Sequence, residues 1–246
     1  MFRRRTILIA AVAVFTVAIG GGLYWFLDDN APSAVSLDAA AATVGPSDPA
    51  TEASSSGGAA TDLSGIWIAD TSTGGFDYDS ATGSFVGFRI EERLASIGSA
   101  TAVGRTGDIT GSITIEGATL TEAAFEIDLT TITTNEGRRD DAVQNALETD
   151  QYPTARFELT ERVELGDTAA DGDAVAVSAI GDLTIHGLTR SVQIDLDAQV
   201  VDDTIVVVGS TEVSFADYDI AVPSSPIVLS VDDDGILELQ LLLVQQ

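Results

Sequence analysis

Cysteine and lysine are both missing from this chain of 246 residues, and histidine occurs once, at His186. Without cysteine there is no disulfide, no thiolate metal site, no cysteine nucleophile and no lipid-modified cysteine anchor. Without lysine, 11 Arg face 39 Asp and Glu, for a formal net charge of −28. Nucleic-acid binding needs a basic face, and beyond the N-terminal tip no arginine group exceeds Arg138-Arg139, which speaks against nucleic acid as a partner. The acidity reads as a solvated, self-repelling surface. The lone His186 has no H-x-x-x-H spacing and no G-x-S-x-G elbow beside it, and in Thr184-Ile185-His186-Gly187 it suits a tight turn. Asp232-Asp233-Asp234-Gly235 lacks the spacing and closing Glu of a calcium loop, so it reads as a turn. The expectation is a protein that is not an enzyme, with no catalytic constellation, no metal site and no cofactor.

What is present begins with Arg3-Arg4-Arg5 and an uncharged run from Ile7 to Leu27. As a helix that run would reach about 31 Å, close to the ~30 Å hydrocarbon core of a bilayer. Basic residues before it and Asp28-Asp29 after it place the N-terminus in the cytoplasm and the rest outside, with Tyr24, Trp25 and Phe26 at the outer interface. Residues 1–27 are thus expected to be a cytoplasmic tip and single transmembrane anchor; the alternative is a cleaved signal peptide, whose apolar region is usually shorter. Residues 28–61, rich in Ala, Ser, Thr, Gly, Pro and Asp, are expected to form a flexible linker. Residues 62–246 are long enough for one domain with a substantial core.

Within 62–246, apolar and polar residues alternate repeatedly. Val86, Phe88 and Ile90 share one face, as do Phe125, Ile127 and Leu129, and later Phe157 and Leu159, or Leu237 and Leu239. Leu183 and Ile185 precede His186-Gly187, and Val192, Ile194 and Leu196 follow it, which predicts a hairpin with one apolar face. Gly and Asp clusters between these runs predict short turns and a meander. Arg138 to Thr149, with Ala142, Val143, Ala146 and Leu147 at helical spacing, predicts a short helix stopped before Pro153. Glu91 to Ser96 reads either as a second short helix or as the bent end of a strand. About eight antiparallel strands have edges to protect, and barrel closure would remove them, although alternation does not distinguish a barrel from a sandwich.

The hairpin Gly181-Asp182-Leu183-Thr184-Ile185-His186-Gly187-Leu188-Thr189-Arg190 and the upstream Thr149-Asp150-Gln151-Tyr152-Pro153-Thr154-Ala155-Arg156-Phe157 resemble the YceI-like family of lipid and polyisoprenoid binding proteins. The resemblance extends in order through Phe85–Ile90, Ile109–Ile115 and Ile127–Thr134. At Ala216 and Tyr218 the chain departs from a family segment that often carries Arg and Phe-Gly, and its 95–100 loop looks expanded. The resemblance implies an all-β fold, an eight-stranded antiparallel lipocalin-like barrel with one or two short helices, holding an isoprenoid or fatty chain in a long apolar tunnel.

Val86, Phe88, Ile90, Phe125, Ile127, Leu129, Leu183, Ile185, Val192 and Ile194 are the inward-facing candidates, either as tunnel lining or as packed core. Arg138 and Arg139 either form local charge pairs or present donors to a ligand head group at the rim. The leading expectation is an exported, membrane-tethered carrier of an amphipathic lipid. The alternative is a cell-envelope interaction or stress-protection domain with a solid barrel.

Overall fold

The alternating runs close into a ring of strands. In this computed structural model, residues 31–45, 62–94, 98–166, 168–222 and 228–246 are described. The strands are β1 (Gly65–Ala69), β2 (Phe85–Leu94), β3 (Gly98–Thr106), β4 (Ile109–Glu116), β5 (Thr119–Asp128), β6 (Thr154–Leu159), β7 (Val163–Glu164), β8 (Val175–Ile185), β9 (Leu188–Val201), β10 (Thr204–Ser214), β11 (Val228–Val231) and β12 (Asp234–Gln245). Eight of them, in the order β1-β4-β5-β6-β8-β9-β10-β12, form an antiparallel barrel that closes where β12 returns to β1 at Trp67↔Gln245. Half of the neighbours in the ring, β4-β5, β5-β6, β8-β9 and β9-β10, are consecutive in sequence, the meander that the short turns predict.

The lower half of β12 carries an extension. Its Ile236–Gln240 stretch pairs with β2, β2 pairs with β3, and the far end of β2 pairs with β11. Residues 91–94 are therefore strand, not helix; the rest of that expected helix, 95–96, lies outside the described residues.

Among the described residues, two α-helices accompany the barrel. The one expected from spacing is α2 (Gly137–Ala146), with the Asp140 carboxylate accepting hydrogen bonds from Thr134. The other, α1 (Leu37–Val44), falls inside the stretch 28–61 that composition predicts to be a flexible linker. Alanine is a strong helix former. It is also small enough for Ala40, 1% exposed, to seat against Val206, Val208 and Leu242 on the outer wall. Thr43 ties the helix to the carbonyl of Thr82 at 3.1 Å. Tertiary contact thus orders a segment that could not form a core of its own.

The expected anchor, residues 7–27, lies outside the described residues. Among the described residues, no helix is long and apolar enough to cross a membrane.

One end of the barrel is plugged. The β8–β9 hairpin turns at His186 (φ 52) and Gly187 (φ 72), with Ile185 opposite Leu188. Both positive φ angles fit a two-residue hairpin turn, and a Cβ on Gly187 would lie 2.7 Å from the Tyr152 ring. His186 Nδ1 lies 2.9 Å from the carbonyl of Tyr218, and its ring meets that of Tyr152 edge-on at 4.6 Å. Together these contacts sew the turn to the segment after α2 and to the 3₁₀ turn Phe215–Tyr218.

Tyr218 is 1% exposed and its hydroxyl has no hydrogen-bond partner among the described residues. Burial pushes the phenol up to about 12. A group whose pKa is raised on folding contributes stability that is present below about pH 10 and lost as pH rises through 12. Tyr218→Phe removes an unsatisfied polar atom, so it should leave stability unchanged or raise it by up to about 1 kcal/mol. It should also flatten the loss between pH 10 and 12. Denaturation curves across that range check both; a loss above about 1 kcal/mol at neutral pH means that the hydroxyl has a partner.

Candidate ligand cavity

The inward residues of the barrel leave space. The cavity measures about 160 Å³, counted as the room open to the centre of a water-sized sphere. At ~10–15 Å³ of such room per water, and ~30 Å³ of liquid per water, it corresponds to roughly 300–480 Å³ of filled volume. That is the lower part of the range for small-molecule sites.

Side chains from every strand of the ring except β1 reach the cavity, and Leu63, just before β1, does so too. The large ones fit because glycines stand opposite them. A Cβ on Gly111 would lie 2.5 Å from the Phe125 ring, and one on Gly181 would lie 2.5 Å from that of Phe157. Phe125 and Phe157 are direct cross-strand partners, so these two glycines let a pair of aromatic rings lie flat against the wall.

Of the inward candidates read from the sequence, Val86, Phe125, Ile127, Leu183 and Ile194 line the cavity. Phe88, Ile90, Leu129, Ile185 and Val192 do not; they sit toward the plugged end and pack there. Phe88 lies against Gly104, which Ile132 also approaches, and Ile90 approaches Gly235 beside Phe215. Leu129 and Ile185 are buried core. Period-two alternation assigns a face but carries no information about depth along the barrel.

The same signal, applied to every strand, also marks lining residues outside the candidate set. Ile113 and Ile115 on β4, Phe157 and Leu159 on β6, and Leu237 and Leu239 on β12 all alternate and all line the cavity. Ala179 and Ala123 carry no such signal, because alanine does not declare a buried face.

Arg138 and Arg139 do not line the cavity. Arg138 is exposed at the start of α2. Arg139 donates to Asn135 Oδ1 and pairs with Glu92 at 3.4 Å, the local pairing rather than the rim role.

The opposite end is open. Val175, Val177, Leu196 and Ala198 line the cavity yet are only half-buried. β6 pairs with β8 only over Gly181–Thr184, leaving the first half of β8 laddered to β9 alone. Leu165, Ala169 and Asp173 also line the cavity at this end.

The polar residues at the cavity wall are Asp173, Gln199, Thr211 and Glu238, of which Gln199, opposite Val206 of the outer wall, and Glu238, between the inward Leu237 and Leu239, turn their side chains to the outer face. Gln199 donates to the carbonyl of Gly172, and Thr211 to that of Gln193. Glu238 is held between two arginines: one carboxylate oxygen accepts from Arg89 Nε at 2.8 Å, the other from Arg105 at 2.7 Å and 3.0 Å. Arg89 Nη2 donates to the carbonyl of Pro32, and Arg105 Nη2, which also reaches Glu238, donates to that of Ser33. Among the described residues, no group of three or more His, Asp or Glu could hold a metal ion.

A closed eight-stranded barrel with an apolar interior cavity, open at one end, is the architecture of a small-ligand binding barrel. Residues 77–243 match the YceI-like domain, and the chain belongs to that family. Among solved structures, a polyisoprenoid binding domain from Saccharophagus degradans implicated in plant cell wall breakdown shares 18% identity at a TM-score of 0.53, covering 74% of this chain and 98% of that one. BcnA of Burkholderia cenocepacia shares 14% at 0.50, covering 64% and 95%. The YceI protein of Campylobacter jejuni shares 20% at 0.48, covering 58% and 84%. At these identities the likeness is one of fold. No curated protein matches the chain.

Proposed function

We propose that this protein is a non-catalytic binding protein that holds an isoprenoid or fatty chain in the barrel cavity, as carrier or sequestering agent. The apolar cavity itself carries the reading. Its filled volume suits roughly 10–16 methylene-sized groups, a gross burial gain of about 8–13 kcal/mol at ~0.8 kcal/mol each. Association and ordering costs take back much of that, and the remainder can still give useful affinity without a charged contact. Membership of the YceI-like family and the likeness to a polyisoprenoid binding domain support the same reading.

The proposal includes export and an uncleaved anchor, on the strength of Arg3-Arg4-Arg5, the bilayer-length run from Ile7 to Leu27 and Asp28-Asp29 beyond it. One experiment reads both parts. Native mass spectrometry of the full chain, taken from the membrane fraction into nanodiscs, should give the mass of the intact chain plus a lipid adduct. A mature N-terminus at Ala34 or beyond in membrane-free material would remove the anchor. A chain that is always empty and takes up no lipid would leave the solid-barrel envelope role instead.

A further inference from the structure

We propose that the cavity takes amphiphiles whose head group carries no negative charge, and turns away phosphates and carboxylates on the same tail. This rests on the ligand-binding reading above and narrows its ligand class. The inference comes from where the positive charge of the chain lies. There is no lysine, and the one histidine is built into the plugged end.

The eight arginines among the described residues all stand off the cavity lining. Arg89 and Arg105 are spent on Glu238 and on two backbone carbonyls. Arg139 pairs with Glu92, and Arg156 with Glu126 on the outside. Arg190 donates to the carbonyl of Thr189 and, like Arg93 and Arg138, is exposed.

The donors inside the lining are equally committed. The Thr211 hydroxyl already donates to a backbone carbonyl, which leaves its oxygen as an acceptor, and Gln199, paired across the sheet with Val206 of the outer wall, has its side chain on the outer face, where it donates to the carbonyl of Gly172. An anionic head drawn into this space would lose its water and gain no partner, which is the costly way to bury a charge. A head left at the mouth meets carboxylates instead. Asp173 lines the opening, and the Gln199 to Gly172 bond holds its loop beside the end of β9. The exposed acids nearby are Glu164, Asp171, Asp202 and Asp203, on β7, the same loop and the β9–β10 turn. Arg162, also at this end, is exposed before β7 between Glu161 and Glu164 and does not line the cavity. The net field at the opening is negative, and negative fields repel anions over about 8–10 Å at moderate salt.

A neutral head meets none of these penalties, and a cationic one would be drawn to the mouth. Three head groups on one tail separate the cases. The full chain in nanodiscs is titrated with farnesol, farnesylamine and farnesyl phosphate, with partition into empty discs measured in parallel and occupancy read by native mass spectrometry. Farnesol and farnesylamine should each bind at least about tenfold more tightly than the phosphate at low salt. The gap should narrow as salt screens the mouth. Asp173→Arg should raise the ratio of phosphate to farnesol binding severalfold.

Phosphate binding equal to or tighter than that of farnesol would overturn the proposal, as would phosphate binding that depends on Arg162, tested with Arg162→Gln. Uptake of none of the three would overturn the ligand-binding reading and this inference with it. Uptake regardless of head group would spare that reading and overturn the inference alone.

Discussion

Glu238→Gln is expected to destabilise the fold by about 3–5 kcal/mol, the usual cost of removing one partner from a buried ion pair. The carboxylate is 1% exposed, Arg105 is 4% and Arg89 is 14%, so the two guanidinium groups left behind could not recover full hydration. The site cannot easily rearrange. Gly87, directly across from Glu238 on β2, lies against Arg105, and a Cβ there would come within 2.2 Å of the carbonyl oxygen of Gly104. Arg105 is further fixed over the Phe85 ring at 4.4 Å. The chain provides its own control in the exposed pair Arg156–Glu126, at 2.6 Å but with side chains 59% and 43% exposed. Glu126→Gln should cost no more than about 1 kcal/mol.

Because Arg89 and Arg105 also hold Pro32 and Ser33, loss of Glu238 should loosen the segment that leads into α1. Chemical denaturation combined with limited proteolysis of residues 31–45 reads both effects. A Glu238→Gln protein within about 1 kcal/mol of the parent, its N-terminal segment still protected, would show that the triad contributes little.

The triad also marks where sequence reading stopped. Alternation along a strand identifies inward and outward faces, and it located the strands around Phe88, Ile127, Ile185 and Ile194. The turn at His186-Gly187 was legible because few residues accept two successive positive φ angles. Ring closure was not legible from alternation, since a sandwich has the same period; the family resemblance supplied it. Glu238 and its partners were invisible for another reason. Alternation places Glu238 on the outer face of β12, where a carboxylate is normally solvated. Among the described residues, the strap at residues 32–33, some two hundred positions away in sequence, closes over its arginine partners. The ordering of α1 has the same origin, because Ala40 is buried by a groove of Val206, Val208 and Leu242 that its own neighbours do not announce. Depth along the barrel was equally hidden, which is why five of ten inward candidates belong to the plug and five to the cavity. Long-range coverage, rather than local propensity, decided each of these points.

Ala179→Phe should abolish lipid uptake while changing stability by less than about 1 kcal/mol. Ala179 is 2% exposed, lines the cavity and sits midway along β8, opposite Ile194. A phenyl ring there would extend into open space rather than into a neighbour, and would cover apolar surface that the empty barrel leaves poorly packed. Overpacking a filled core has the opposite sign, typically about 1–3 kcal/mol of destabilisation. Gly181→Ala, two residues along the same strand face, gives that comparison within one barrel. Its new methyl would stand 2.5 Å from both the Glu158 carbonyl and the Phe157 ring, so backbone or ring must move, and a loss of about 1–3 kcal/mol is expected. Thermal unfolding of delipidated protein, set beside farnesol occupancy, reads both variants. Should Ala179→Phe be as damaging as Gly181→Ala in the absence of lipid, the space beside Ala179 is too small to admit a chain and the barrel works as a packed scaffold. Should it be well tolerated and still take up farnesol normally, the lipid does not pass Ala179, and the binding path must be confined to the mouth between Leu165 and Val175.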